Sequence, residues 1–326
     1  MRAFITGASG FIGRALIEGC LRKKWNVRVF QHTRPMGRKG SNSQSYEVVK
    51  GDITSPVTLE GIFEGVDLLF HCAAALGASI LSENEFFRIN AEGTKNVLQA
   101  AKAAGIPKTV HFSSAGVLGS VEGGEAANED FVPNPQNSYD RSKLEGENIA
   151  RQFAEEGMDI AIVRPGWAYG PGDRRTFKLI KAIAKKRFLL VTKGNAQQTP
   201  VHIDDLVEGV FLCAEMGRKG QIYHIAGSEV LSVKDIVATI ASTAGNKIPP
   251  ISLPLFPVIM AASVLERTFA LFKKEAPLTR GRLSFFIHPK PLAIQKAKQE
   301  LGYSPKISFA EGILQTVEWS KAHNWL

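Results

Sequence analysis

Cysteine is scarce: three in 326 residues, at positions 20, 72 and 213, odd in number and far apart among apolar neighbours. That excludes a disulfide framework and fits buried, reduced thiols. No CxxC pair or Cys/His cluster points to a metal site. No apolar run is long enough to span a bilayer; the longest, 253–265, is closed by Glu266 and Arg267. Residues 1–5 run straight into a glycine-rich turn with no signal-peptide pattern, so a cytoplasmic protein is expected. Internal repeats, long polar linkers and long blocks of one charge are missing too. Thirty Gly and sixteen Pro are dispersed, which excludes collagen-like and low-complexity chains. The 40 basic and 31 acidic residues leave a net charge of +9 in short clusters. Such a surface suits phosphates, nucleotides or acidic lipid headgroups, and argues against a nucleic-acid-binding arm.

What is present is average globular material, 44% hydrophobic and 22% charged, enough for a large core. Short runs rich in Val, Ile and Phe at 2–6, 26–31, 46–50, 67–71, 109–113 and 159–164 read as strands. Helical periodicity lies between several of them, most clearly at 83–104 and 142–156. Strands alternating with helices imply an α/β chain with a Rossmann-type, doubly wound parallel sheet whose ligands bind at the carboxyl ends of the strands.

After Arg164 the pattern changes. Residues 166–173 read as a loop, followed by helical stretches near 177–186, 204–216, 233–244, 258–272 and 311–323. Strand-like pieces at 199–203 and 221–225 are expected to return to the main sheet. The division that follows is a dinucleotide-binding part, 1–165, completed by parts of 199–227, and a smaller, mostly helical substrate cap, 166–326.

The chemistry begins at Thr6-Gly7-Ala8-Ser9-Gly10-Phe11-Ile12-Gly13, between the first strand and the first helix. There Gly7 suits a tight turn, Gly10 lets backbone approach a pyrophosphate, and Gly13 lets the helix pack closely. The free N–H groups at the helix start attract phosphate charge. A flexible turn is the bland alternative. At the end of the second strand an acidic residue would serve a ribose 2′-hydroxyl; this chain has Gln31-His32-Thr33-Arg34, then Arg38 and Lys39. A neutral residue among cations favours NADP over NAD, with an ordinary basic loop as the competing reading.

Tyr139 and Lys143 stand four residues apart, on one face of a helix. A nearby cation stabilises phenolate and is expected to lower the tyrosine pKa, so that the pair moves a proton to or from an alcohol. A solvated helix face is the alternative.

Taken in order, GASGFIG, Gly51-Asp52-Ile53, His71-Cys72-Ala73-Ala74, Asn90-Ala91-Glu92-Gly93-Thr94, Ser113-Ser114, Tyr139-x-x-x-Lys143 and Arg164-Pro165-Gly166 resemble the extended short-chain dehydrogenase/reductase family, the NAD-dependent epimerase/dehydratase group. The resemblance implies that Tyr139 is the acid/base and that Lys143 holds the nicotinamide ribose while lowering the tyrosine pKa. It also implies that Ser114, with Ser113 as fallback, bonds the reacting oxygen. Asp52 and Ile53 would flank the adenine, Ala73 and Ala74 line the cofactor cleft, Asn90 belong to the cofactor-binding set, and Pro165 lie near the nicotinamide. A homodimer through the Tyr139 helix and its neighbour is implied as well.

Two departures bear on substrate. Val117-Leu118-Gly119 stands where the family often has Val-Tyr-Gly. Gln198 stands where sugar-nucleotide members commonly carry an Arg for the substrate diphosphate. An amide cannot supply that charged, bidentate contact, although Arg280 and Arg282 could compensate. The segments 278–283 and 296–305 resemble the 3β-hydroxysteroid and sterol-4-carboxylate dehydrogenase branch. For the apolar stretch 253–274 three roles compete: cap core, lid over an apolar substrate, or peripheral membrane contact.

The expected activity is hydride exchange between NAD(P) and a secondary alcohol or ketone of a bulky, largely apolar small molecule, sterol-like or lipid-derived. A nucleotide-sugar epimerase or dehydratase with a closed redox cycle, and a non-catalytic dinucleotide sensor, are the alternatives.

Overall fold

The computed structural model describes residues 1–33, 46–76, 81–247, 252–271 and 280–326. Six strands, β1 (Arg2–Thr6), β2 (Asn26–Gln31), β3 (Glu47–Lys50), β4 (Leu68–His71), β5 (Lys108–Phe112) and β6 (Ile160–Pro165), join a seventh, Ile222–Ile225, in one sheet. Every neighbouring pair is parallel. From one edge the order is Ile222–Ile225, β6, β5, β4, β1, β2, β3. The chain therefore winds outward from β1 in one direction, then crosses back to β4. That reversal opens a crevice at the carboxyl ends of β1 and β4.

Sheets covered on both faces read as near-continuous apolar runs, and β1 shows why. Ala3 and Ile5 point into one core with Leu16, Val207 and Phe211, whereas Phe4 points into the other with Phe63, Leu98 and Phe153. The first core is built by α1 (Phe11–Arg22) and α6 (Ile203–Met216). The second is built by α3 (Gly93–Ala103) and α4 (Ser138–Glu155). The expected helix at 83–104 is interrupted: α2 (Glu83–Phe87) is joined to α3 by a π-helical turn, Arg88–Glu92.

In the C-terminal half, α5 (Arg174–Ala184), α7 (Val233–Thr243) and α11 (Phe309–Ala322) share a third core with Tyr169. α8 (Leu255–Leu271) and α9 (Arg280–Ile287) form a smaller one with Val191, and α10 (Gln295–Leu301) returns to the first core through Ala297 and Leu301.

Two expectations are corrected. Residues 221–225 contribute the seventh strand, but 199–203 does not enter the main sheet: Pro200–His202 pairs with Trp167–Tyr169 in a separate parallel ladder. The segment expected to be a loop, 166–173, therefore contains a strand. The cause lies at Gly166, whose missing Cβ would stand 2.3 Å from Thr199 O, so the two chains meet there and run on together.

Candidate active site

The glycine-rich turn follows β1 into the crevice. Gly7 has φ +69°, and a Cβ there would sit 2.6 Å from the Cys72 carbonyl carbon, so only glycine fits between the β1 and β4 ends. A Cβ on Gly13 would lie 2.3 Å from Gly7 O, which is how α1 comes to start against the turn. Gly10 caps α1 without a side-chain bond, and the first turn carries no acidic residue. Its N–H groups are thus available to a phosphate, and Ser9, Phe11 and Ile12 lie at the same turn. Arg14 holds the Ser9 carbonyl at 3.0 Å. These are the features a pyrophosphate needs, so the residues present fit a dinucleotide.

Gln31 ends β2, and its carbonyl accepts from Gly51 N–H at 3.1 Å. His32 is exposed and stands 3.5 Å from Asp52. The Asp52 carboxylate also accepts from Thr54 N–H at 2.9 Å, and these contacts hold it below its ordinary pKa against its desolvation. Ile53 is buried, with its side chain against Gly93. Arg34, with Arg38 and Lys39, lies outside the described residues.

Ala73 and Ala74 are partly buried where the chain leaves β4. Asn90 sits on the π turn and clamps the next residue: its Oδ1 accepts from Ala75 N–H at 2.7 Å and its Nδ2 donates to Ala75 O. The same Nδ2 donates to Ser142 Oγ at 2.9 Å, and Ser142 Oγ donates to the Tyr139 carbonyl at 2.7 Å. A second buried chain runs behind it. Ala73 N–H donates to Thr6 Oγ1, which lies 2.8 Å from His71 Nδ1; His71 Nε2 lies 3.0 Å from Thr94 Oγ1, which donates to Asn90 O at 2.7 Å. With both hydroxyl protons so placed, neutral His71 carries its proton on Nε2. Burial supports that state by pushing its pKa down to about 3, aided by the Lys143 charge. The backbone after β4 and the helix that carries Tyr139 are thereby tied through one buried hydrogen-bonded chain. In the sequence His71 and Thr94 stand only as motif letters, and no local signal gives them this role.

Asn137 caps α4 by accepting from Asp140 N–H, which puts Tyr139 in the first turn and Lys143 one turn on. The two Ser candidates separate cleanly. Ser113 Oγ is buried and donates to Glu147 at 2.5 Å, whereas Ser114 Oγ accepts from Gly116 N–H at 3.0 Å and lies near enough to the Tyr139 phenol to lower its pKa. Phe86 meets the Tyr139 ring edge-on at 6.1 Å.

Here the expected electrostatics reverse. Burial first, then the Asp140 charge, push the Tyr139 phenol up to about 12, against the lowering effects of Ser114 and Arg175. Lys143 does not offset this because its ammonium is buried and donates to Phe112 O at 2.5 Å. Burial pushes Lys143 itself down to about 8, while Cys72 and Glu147 oppose the shift. Pro165 ends β6 and pairs with Ile225 at the edge of the same crevice. Just before it, Arg164 makes a buried two-pronged bond to Glu147, at 2.6 and 2.9 Å.

Beyond Pro165 lies an aromatic cluster packed on the third core. Trp167 stands 4.7 Å from Phe285, 5.8 Å from Tyr169 and 6.1 Å from Phe309, ring centre to ring centre. Gln198 is buried, and its amide nitrogen donates to Phe285 O at 2.7 Å and His288 O at 2.9 Å. It is thus spent on holding the end of α9. The side chains of Arg280 and Arg282 lie outside what is described.

Comparison with known proteins places this geometry. The sequence profile described as the NAD dependent epimerase/dehydratase family matches residues 3–226. The chain is 28% identical to 4-hydroxy-2-methyl-3-oxo-4-farnesyl-3,4-dihydroquinoline-1-oxide ketoreductase of Stigmatella aurantiaca, over 96% of this chain and 95% of that one. It is 25% identical to 3beta-hydroxysteroid-dehydrogenase/decarboxylase isoform 2 of Arabidopsis thaliana, over 96% of this chain and 61% of that protein. Among solved structures, a double mutant of dTDP-glucose 4,6-dehydratase from Streptomyces venezuelae with NAD bound superposes with a TM-score of 0.80 at 27% identity, covering 98% and 97% of the two chains. Profile, relatives and fold agree, and the chain belongs to the NAD-dependent epimerase/dehydratase family, an enzyme of the extended short-chain dehydrogenase/reductase type.

Proposed function

We propose that this enzyme is an NADP(H)-dependent ketoreductase or dehydrogenase acting on a secondary alcohol or ketone of a bulky, apolar, sterol-like or lipid-derived molecule. The observation that carries the substrate class is Gln198, whose amide is committed to two carbonyls beside an aromatic cluster. A diphosphate arriving there would meet an occupied amide in place of a cation. The relatives named as a farnesyl-dihydroquinoline-oxide ketoreductase and a 3β-hydroxysteroid dehydrogenase support the same direction. The preference for NADP(H) rests on Gln31 in place of an acid at the end of β2.

The cofactor supplies or accepts the hydride. It would be held by Gly7, Ser9, Gly10, Phe11, Ile12 and Gly13 at its pyrophosphate. Gln31, His32, Arg34, Asp52 and Ile53 would lie at the adenosine end, and Ala73, Ala74, Asn90, Tyr139, Lys143 and Pro165 along the cleft. In the reductive direction Ser114 orients the substrate carbonyl, and Tyr139 gives its proton to that oxygen as it becomes an alcohol. A phenol raised to about 12 is fully protonated at neutral pH and suits this donor role. The buried Lys143 would bind the nicotinamide ribose. Substrate would enter between residues 1–165 and the cap, 166–326, of a cytoplasmic homodimer formed through α3 and α4.

The test is the ratio of kcat/KM for NADPH and NADH with a panel of apolar ketones, alongside UDP- and dTDP-sugars. Net cofactor oxidation with the ketones and none with the sugars is the expected result. A second reading, sugar-nucleotide epimerisation or dehydration, is favoured by the likeness to dTDP-glucose 4,6-dehydratase. Sugar conversion without net cofactor consumption would establish it.

A further inference from the structure

Two features of the C-terminal half, charge and apolar exposure, take no part in the site above. Residues 174–203 contain eight Lys and Arg and no Asp or Glu, nearly the whole net charge of +9. Arg174 and Lys178 lie on the exposed side of α5, and Lys185, Lys186, Arg187 and Lys193 are exposed after it. Lys185, Lys186, Arg187 and Lys193 make no ion pair with a described residue.

On α8, Val258 and Ala262 turn inward onto Val191 and Leu283. The helical period then sets Phe256, Met260 and Val264 on the opposite side, where they are 75%, 51% and 58% exposed. A short parallel ladder brings the two features together. Leu190 pairs with Ser252 and Val191 with Leu253, so the basic run and exposed Leu189 lead into the same ladder from which α8 departs. Lys193 N–H also donates to Ser252 Oγ at 2.8 Å.

We propose that this face, the outer side of α8 with the basic segment 185–193, docks on an anionic lipid surface. An aligned Phe, Met and Val stripe in water is costly and marks an interaction site. The basic segment that leads into the same ladder selects the partner. A second copy presenting the same face would bring like charges together, whereas acidic headgroups over an acyl interior match both the charge and the stripe. No helix among the described residues is long and apolar enough to cross a membrane, so the contact is peripheral. The proposal is independent of the substrate assignment.

The experiment is sedimentation of the full chain with phosphatidylcholine vesicles, with and without phosphatidylglycerol, across a salt series. Binding to the anionic vesicles that weakens with salt is expected. Lys185→Glu, Lys186→Glu and Arg187→Glu together should lower partitioning by about a hundredfold, at about fivefold per cation. Phe256→Ser with Met260→Ser should lower it by roughly tenfold or more for the apolar area lost. Both variants should keep the wild-type circular dichroism spectrum. No binding to anionic vesicles, equal binding to neutral ones, or binding unchanged by both variants would overturn the proposal. So would a dimer that Phe256→Ser with Met260→Ser dissolves, since a second copy would then cover the stripe.

Discussion

The Gln198 amide donates to the backbone carbonyl of Phe285 at 2.7 Å, across 87 residues of sequence. This bond seats the end of α9, where Phe285 packs on Trp167. Gln198→Leu leaves the Phe285 and His288 carbonyls without their donor, at a cost of about 1–3 kcal/mol. Activity on an apolar ketone should fall through a raised KM while cofactor affinity holds, as steady-state kinetics and cofactor fluorescence titration would report.

Tyr139→Phe removes the proposed proton donor and keeps the ring that meets Phe86. A loss in kcat of about 10²–10⁴ is expected, with cofactor binding unchanged. Turnover near wild type would assign the proton transfer elsewhere.

Glu147 and Arg164 are buried together, 1% and 2% exposed. Removing one partner strands a charge, so Arg164→Met should cost about 3–5 kcal/mol in urea unfolding. Adding Glu147→Leu should recover much of that loss. A double variant no more stable than the single one would show that packing dominates at this site.

His71 and His224 are held neutral by burial, each with a pKa pushed down from 6.5 to about 3. Between those values the unfolded chain takes up protons that the folded chain refuses, so stability falls as pH drops from 6.5 towards 3. Urea midpoints should be clearly lower at about pH 5 than at neutral pH, and His71→Gln should flatten the slope. An unchanged slope in that variant would remove His71 from the acid limb.

Much of this molecule is legible in its sequence for definable reasons. β1, β4 and β6 show because strands buried on both faces are near-continuous apolar runs, and the Gly7 turn shows because backbone conformation and close packing demand glycine. Pro200–His202 is legible as a strand but its pairing is not: three residues long, it is fixed by contact with a partner hidden in a glycine-rich stretch. The direction of the Tyr139 shift fails for a related reason. Spacing reveals that Lys143 shares its helix face, but not that burial outweighs any charge and that the ammonium is turned to Phe112. Gln198 is visible as a departure from pattern, while its partners lie 87 and 90 residues away, beyond any local signal.

The most direct test of the account is nicotinamide absorbance during turnover of purified enzyme with NADPH and a bulky apolar ketone, run beside a nucleotide sugar. Net NADPH oxidation with the ketone, abolished by Tyr139→Phe, is the predicted result. Conversion of the nucleotide sugar with no net change in nicotinamide, and no reaction with the ketone, would contradict it.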